Sequence, residues 1–157
     1  MSSKVRESKL WSWLKLGGKA FKERLHMSRV ENAVGSGMAD VEGCMKHRDL
    51  GVGIQFWIEL KCESRPARPD TKIKPRFQPG QGPWHRRRRG SGGRAFVLLQ
   101  VGAGSSARRY MLPGELIPSM QKGMTEKRLE ELSIIPPKAS AEQIIEAAAY
   151  LTAPSAS

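Results

Sequence analysis

The sequence predicts an α/β fold, a single domain in which a mixed central β-sheet is flanked by helices. Helical and strand-like patterns alternate along the chain, as in α/β domains. The segment Arg94–Val101 is almost continuously apolar, which is typical of a strand buried on both faces. At 157 residues, the chain is long enough for one sizeable core but not for two.

In the first half of the chain, a helix is predicted from Ser8 to Leu25. Its apolar residues recur at helical spacing, although Gly17 and Gly18 can break or bend it. A glycine turn at 34–37 leads into "MADVEGCM", and "GVGIQFWIELKC" follows as a longer segment rich in β-branched and aromatic residues. These two segments are predicted to be neighbouring strands.

The second half begins with a stretch rich in Pro, Gly, Arg and Gln, residues 63–93, with a short helix predicted over Gln81 to Arg89 that displays its arginines to solvent. "RAFVLLQV" and "ARRYMLP", separated by a Gly/Ser turn, predict a hairpin. A short helix is predicted from Thr125 to Leu132. Ser140 and Gln143 resemble a capping box that opens a helix through Leu151, and "TAPSAS" is predicted to be a disordered tail.

Three regions are predicted within the single domain. Residues 1–27 form an N-terminal helical segment, and residues 28–120 form the core with a basic insert at 63–94. Residues 121–157 form a C-terminal helical extension and the tail.

The formal net charge of +12 indicates a polyanionic partner. The candidate phosphate-binding residues lie close together in the sequence: Lys72, Lys74, Arg76, Arg86, Arg87, Arg88 and Arg89. The alternative is a solvated basic face without a specific ligand. With two cysteines and no continuous apolar leader, the chain is expected to be cytoplasmic. Because no apolar run approaches the roughly 20 residues that span a bilayer, no membrane association is expected.

The strand-like stretch "WIELKCESR" carries an acid and a base in an apolar setting. Because side chains alternate along a strand, Glu59 and Lys61 share one face with Trp57. If Asp40 ends a neighbouring strand on the same side, two carboxylates and an ammonium group converge. Mg²⁺ is held by oxygen ligands of this kind, and a lysine beside the metal can orient or deprotonate the attacking water. The set therefore favours phosphodiester hydrolysis; the alternative is a cross-strand salt bridge on a solvent-facing surface.

"VGAGSSA", residues 101–107, has the glycine spacing of a dinucleotide-binding turn at Gly102 and Gly104. The following "RRYMLP" is not helical in pattern, and without a helix N-terminus no phosphate cradle forms. A hairpin turn is therefore predicted there.

Four features follow one another along the chain: an acid after a glycine turn, an E-x-K strand, a basic segment, and a helix that begins with Gln81. This order resembles the PD-(D/E)XK nuclease superfamily, in particular the small phage nucleases and the VRR-NUC and Holliday-junction-resolvase-like branches. The resemblance covers about residues 28–113 and implies a restriction-endonuclease-like core. Ala39 stands where the namesake motif has proline, a residue that shapes the turn and ligates nothing.

The resemblance implies a role for each site residue. Asp40 and Glu59 are the expected ligands of Mg²⁺, for which Mn²⁺ can substitute, with the backbone carbonyl of Leu60 as a third oxygen donor. Lys61 orients the water. Glu31 holds a second metal or a metal-bound water, unless it is a helix-surface carboxylate near Arg29. Gln81 bonds the scissile phosphate or the lysine, unless it is simply a polar loop residue.

The expected function is that of a Mg²⁺-dependent DNA endonuclease acting on branched or recombination-intermediate DNA of a phage, in the host cytoplasm. Junction-resolving relatives make two symmetric cuts, so a homodimer is expected. The rival from another class is a non-catalytic basic nucleic-acid-binding protein, in which Glu59 and Lys61 are structural and DNA is bound by the arginine run.

Overall fold

The computed structural model describes residues 3–30 and 37–150. In this part of the chain, five strands form one sheet, in which they lie side by side in chain order. The strands are β1 (Leu25–Arg29), β2 (Val41–Lys46), β3 (Gly53–Glu63), β4 (Arg94–Val101) and β5 (Arg108–Pro113). Strands β1, β2 and β3 form an antiparallel meander, β3 and β4 are parallel, and β4 and β5 are antiparallel. The predicted mixed sheet is confirmed.

Helices cover both faces of this sheet. They are α1 (Ser3–Gly18), α2 (Gln81–Gly90), α3 (Ile117–Lys122), α4 (Glu126–Leu132) and α5 (Ala141–Tyr150), with short 3₁₀ segments at Lys19–Arg24, Gly104–Ser106 and Gly114–Leu116. Helices α1 and α5 share one apolar cluster with one face of β3 and β4. Helices α3 and α4 pack on the other face of β4 and β5, and α2 packs beside them. The predicted α/β class and single domain are confirmed.

Strand β4 shows why a nearly continuous apolar run is needed at the centre. Phe96 and Leu98 face the α1–α5 layer, whereas Val97 and Leu99 face α3 and α4. All four side chains are fully buried. A central strand covered on both faces has no solvent-facing position for a polar residue.

The α1–α5 layer depends on a close approach between the two helices. A Cβ added to Gly17 would lie 2.2 Å from the Cβ of Ala141, so a larger residue at position 17 would push the helices apart. Helix α5 begins with the predicted capping box: the Gln143 backbone N–H donates to the Ser140 hydroxyl, and the Ser140 N–H donates to the Gln143 side chain. Its predicted end at Leu151 and the predicted tail lie outside the described residues.

The N-terminal prediction is partly wrong. Helix α1 begins five residues earlier than expected and ends at Gly18, and the chain then turns through a 3₁₀ segment. Leu25, predicted as the last helical residue, begins β1, a strand that the prediction missed. Leu25 and Met27 pack against the α1–α5 core. This alternation of apolar and polar residues belongs to a strand, and tertiary packing overrides the helical interpretation.

The predicted glycine turn at 34–37 lies mostly outside the described residues, and the remaining predicted elements can be checked. The hairpin of β4 and β5 and the short helices α2 and α4 are confirmed, and Thr125 caps α4 through its hydroxyl. None of the helices in the described ranges combines the length and apolar character that a membrane span requires.

Candidate active site

Three elements meet beside the middle of the sheet: the residue preceding β2, the second half of β3 and the first turn of α2. Val41 pairs with Ile58 in the antiparallel register, so Asp40 lies next to Glu59. The Asp40 carboxylate accepts a hydrogen bond from the backbone N–H of Leu60 at 2.9 Å. The juxtaposition of Asp40 and Glu59 that the sequence predicted is therefore present, although Asp40 precedes its strand rather than ending it.

Glu59 is the most unusual residue of the site, since its side chain is only 1% exposed. The pKa of Glu59 is raised to about 8, mainly by burial and also by the neighbouring Asp40, while Lys61 and Gln81 act in the opposite direction. One carboxylate oxygen, Oε1, accepts from Gln81 and lies 3.4 Å from the Lys61 ammonium. The other, Oε2, is buried without a hydrogen-bond partner among the described residues. A buried carboxylate oxygen of this kind is costly unless a proton or a cation occupies it.

Lys61 lies on the same side of β3 as Glu59, with its side chain 13% exposed. Its ammonium group also sits 4.9 Å from the centre of the Phe77 ring, a cation–π contact that restricts where the amine points. The alternative interpretation, a cross-strand salt bridge on a solvent-facing surface, is not what forms: Lys61 and Glu59 pair within β3, and the pair is largely buried. The amine lines a cleft of about 510 Å³ beside the sheet.

Gln81 is the first residue of α2 and is 6% exposed. Its amide nitrogen donates to Glu59 Oε1 at 2.5 Å, and its amide oxygen accepts from the backbone N–H of Gln78 at 2.8 Å. The side chain is therefore fixed at both ends, and it contacts Glu59 and not the lysine. The residue orients the carboxylate, which simple loop polarity would not do.

Sequence reasoning missed Glu7, which lines the same cleft as Lys61. Burial raises the pKa of Glu7, Lys61 lowers it, and Asp40 raises it, so the three charges interact. Residues 7, 10 and 14 share one side of a helix, and Leu10 and Leu14 are buried. That spacing places Glu7 on the packed side, but the helix had been predicted to begin after it. Glu31, the predicted early acid, lies outside the described residues.

A hard divalent cation such as Mg²⁺ needs oxygen ligands. Within residues 3–30 and 37–150, no group of three or more His, Cys, Asp and Glu side chains is arranged to hold a metal ion. Mg²⁺ is commonly held by one or two carboxylates, with waters and substrate phosphate completing its shell. Asp40 and the unpartnered oxygen of Glu59 fit that smaller requirement.

The predicted phosphate-binding residues divide into two groups. Five are exposed: Lys72, Lys74, Arg76, Arg86 and Arg87. Arg88 lies over the rings of Trp57 and Trp84, and Arg89 pairs with Glu115 at 3.0 Å. The expectation that all α2 arginines face solvent is therefore wrong for these last two, because four consecutive helical residues point in different directions.

The glycine-rich turn after β4 holds a cation, not a phosphate. The backbone carbonyls of Val101 and Ser106 accept hydrogen bonds from Arg65, which also pairs with Glu126. Gly102 has φ +79°, and a Cβ there would lie 2.8 Å from the Arg65 guanidinium. The turn joins the β4–β5 hairpin, as predicted.

The sequence matches no protein-family model and no curated protein sequence. The fold is similar to that of a Holliday junction resolvase from the archaeal hyperthermophile Archaeoglobus fulgidus. The sequence identity is 16%, the TM-score is 0.49, and the match covers 92% of this chain and 98% of that one. The likeness is distant, so the function is argued below from the site alone.

Proposed function

We propose that this protein is a metal-dependent endonuclease of the PD-(D/E)XK type that hydrolyses phosphodiester bonds in DNA. The observation that carries the proposal is the buried Glu59 oxygen that lacks a partner, next to Asp40 and Lys61. A structural ion pair would satisfy both carboxylate oxygens. A carboxylate held by one oxygen with the other one unpartnered is arranged for a cation.

Each residue of the chain has a defined task in this proposal. Asp40 and Glu59 hold Mg²⁺ or Mn²⁺, with the Leu60 carbonyl as a further donor; when bound, the metal stabilises negative charge on the phosphate and lowers the pKa of its water. Lys61, restrained by Phe77, orients the attacking water. Gln81 fixes the Glu59 carboxylate. Glu7 adds negative charge at the rim of the cleft, where it can hold a second metal or a metal-bound water.

The basic residues bind the phosphate backbone of the DNA. Lys72, Lys74 and Arg76 belong to the segment that passes the cleft, and Arg76 lines it. Contacts of this kind bind phosphates without reading sequence. We further propose, from the resemblance of the site motifs, that the substrate is branched or recombination-intermediate DNA of a phage and that a homodimer cuts it, because two symmetric cuts need two active sites. A non-catalytic basic DNA-binding protein would have no use for an unpartnered buried carboxylate.

The test is a cleavage assay with supercoiled plasmid, linear duplex and four-way-junction DNA, each with Mg²⁺, with Mn²⁺ and with EDTA. We expect cleavage only with a divalent metal, and fastest on the junction. Lys61→Met serves as the inactive control, and its circular dichroism spectrum should match that of the parent. Absence of cleavage on all three substrates with both metals would leave the non-catalytic alternative.

A further inference from the structure

A second cleft, of about 650 Å³, opens at the carboxyl ends of the parallel strands β3 and β4. In open α/β sheets, ligands commonly bind in the crevice at this end of the strands. Its walls come from α1, from the chain after β3 and from the start of β5. The volume lies within the range of about 300–1,000 Å³ found for small-molecule sites. The proposed phosphodiester chemistry uses none of its basic residues.

The charges that line this cleft favour an anion. Arg65 is already paired with Glu126. Among the described residues that line the cleft, three further cations, Arg6, Lys9 and Arg109, face a single carboxylate, Glu63. Burial raises the pKa of Glu63, whereas Arg6 and Lys61 lower it, so the one acid present is partly compensated within the protein. The remaining positive charge is available for a phosphate group.

Arg109 also presents a flat surface. Its guanidinium group lies 3.6 Å from the centre of the Trp13 ring, and its Nε–H donates to the Gln100 side-chain oxygen at 3.0 Å. The guanidinium plane is therefore held in one orientation between two fixed neighbours. Unpaired nucleobases stack on arginine planes and aromatic rings that are fixed in this manner. The cleft thus combines a stacking surface with cations at its edge.

The second cleft lies next to the cleft that Lys61 lines. Glu63 lines both clefts and lies two residues beyond Lys61 on β3. Arg6 and Glu7 are consecutive in α1, one lining each cleft. A DNA strand whose phosphate lies at Lys61 can therefore reach the second cleft by passing Glu63.

We propose that this second cleft binds an unpaired nucleotide of the DNA strand adjacent to the phosphate that is cut. Arg6 and Lys9 contact its phosphate, and its base stacks on Arg109. The inference rests on the proposed nuclease function and deepens it, because it assigns a preference for DNA with a single-stranded segment at the cleavage site. A fully paired duplex has no free base to place there.

The test measures binding in EDTA, so cleavage does not intervene. Fluorescence anisotropy compares a blunt duplex with the same duplex carrying a short single-stranded tail. We expect Lys9→Glu to weaken binding of the tailed DNA about fivefold more than that of the blunt DNA. Arg109→Lys keeps the positive charge but removes the planar guanidinium group. The ratio of the affinities for tailed and blunt DNA should therefore fall by about tenfold, while the salt dependence of DNA binding stays the same.

Lys15→Glu is the matched control, since Lys15 is also exposed on α1 but does not line the cleft. If Lys9→Glu and Lys15→Glu weaken both DNAs equally, the cleft contributes only general charge and the proposal is overturned. Displacement of the tail by free thymidine monophosphate as efficiently as by an oligonucleotide would assign the cleft to free nucleotides instead. A chain that binds tails as expected but never cleaves would reject the nuclease function alone, whereas one that cleaves without any preference for tails would reject this cleft alone.

Discussion

Along β3, the side chains that face α1 and α5 are apolar, whereas those on the opposite face include Trp57, Glu59 and Lys61. The apolar face, with Ile58 and Leu60, is fully buried in the main core. The opposite face is nearly as well covered, yet it encloses a carboxylate, and α2 encloses a histidine, His85, beside it. The two faces are similarly buried but have different roles. The apolar face contributes to the stability of the fold. The polar face shields charged groups from water, and electrostatic interactions are stronger in such an environment than in water.

The largest effect is expected from Glu59→Gln. The change keeps the shape of the side chain and removes its charge, so the cation loses a ligand and cleavage should fall by about 10³-fold. DNA binding in EDTA should stay the same, because exposed lysines and arginines supply it. Initial rates on junction DNA and anisotropy titrations measure the two quantities. If Glu59→Gln cleaved DNA at the parental rate, the polar face of β3 would have only a structural role, like the apolar face.

Leu60→Ala tests the apolar face at the neighbouring position. Leu60 is fully buried in the α1–α5 core, and its truncation should lower the free energy of unfolding by about 3 kcal/mol. Urea denaturation measures this loss. The folded fraction should still cleave DNA, since the Leu60 backbone is retained. A stable Leu60→Ala variant without activity would contradict the division between the two faces.

His85 makes the polar face sensitive to acid. It is fully buried, and neither ring nitrogen has a partner in the described part of the chain. Burial, and secondarily Lys61, lowers its pKa from 6.5 to about 4. Below pH 6.5 the unfolded chain binds a proton at His85 that the folded chain does not bind. The contribution of His85 to the free energy of unfolding should therefore fall by up to about 3 kcal/mol as the pH drops from 6.5 towards 4, and it is separated from that of Glu59, whose raised pKa acts in the opposite direction, by comparison with a variant.

The control for this prediction is His85→Leu, which has no group that titrates in that range. Urea denaturation at several pH values should give a shallower pH dependence for the variant than for the parent, whatever its absolute stability. Equal slopes in the two proteins would show that the acid sensitivity arises elsewhere.

The smallest effects are expected from replacing the arginines of α2, and they should differ between two pairs of these residues. Arg86 and Arg87 are exposed, so replacing both with alanine should reduce the slope of log K against log salt by about 1.8 on duplex DNA, or about 0.9 for each phosphate contact. Arg88 and Arg89 are already engaged by the tryptophan rings and Glu115, so their double replacement should lower thermal stability and change the slope less. The reverse result would place the DNA on the other side of the helix.

The sequence predicted the sheet well because its signals are local. An apolar run, a hairpin turn and a capping box each specify an element through neighbouring residues, and β3, β4, β5 and α5 all form where expected. Strand β1 was missed because it has only two apolar residues, and its partner β2 is what makes it a strand. Pairing between segments is not visible in the pattern of one of them.

The candidate site divides in the same way. Asp40, Glu59, Lys61 and Gln81 were named from an order of short motifs, and the structure brings them together. Glu7 could not be placed, because its approach to Lys61 depends on how α1 packs across the sheet. The hydrogen bonds of Arg65 to the glycine-rich turn and to Glu126 could not be predicted either, because its partners lie between 36 and 61 residues away in the chain.

The position of α5 has a consequence for synthesis. All the described residues of the candidate site lie between residues 7 and 81, but the helix that packs on Ile58 and Leu60 comes from residues 141–150. While a nascent chain is being translated, it therefore carries every reactive group well before it can close the core that holds them in place. We expect a ribosome-stalled chain that ends before residue 141 to present an open apolar face to chaperones. In the proposed nuclease, this order of translation postpones DNA cleavage until the polypeptide can fold.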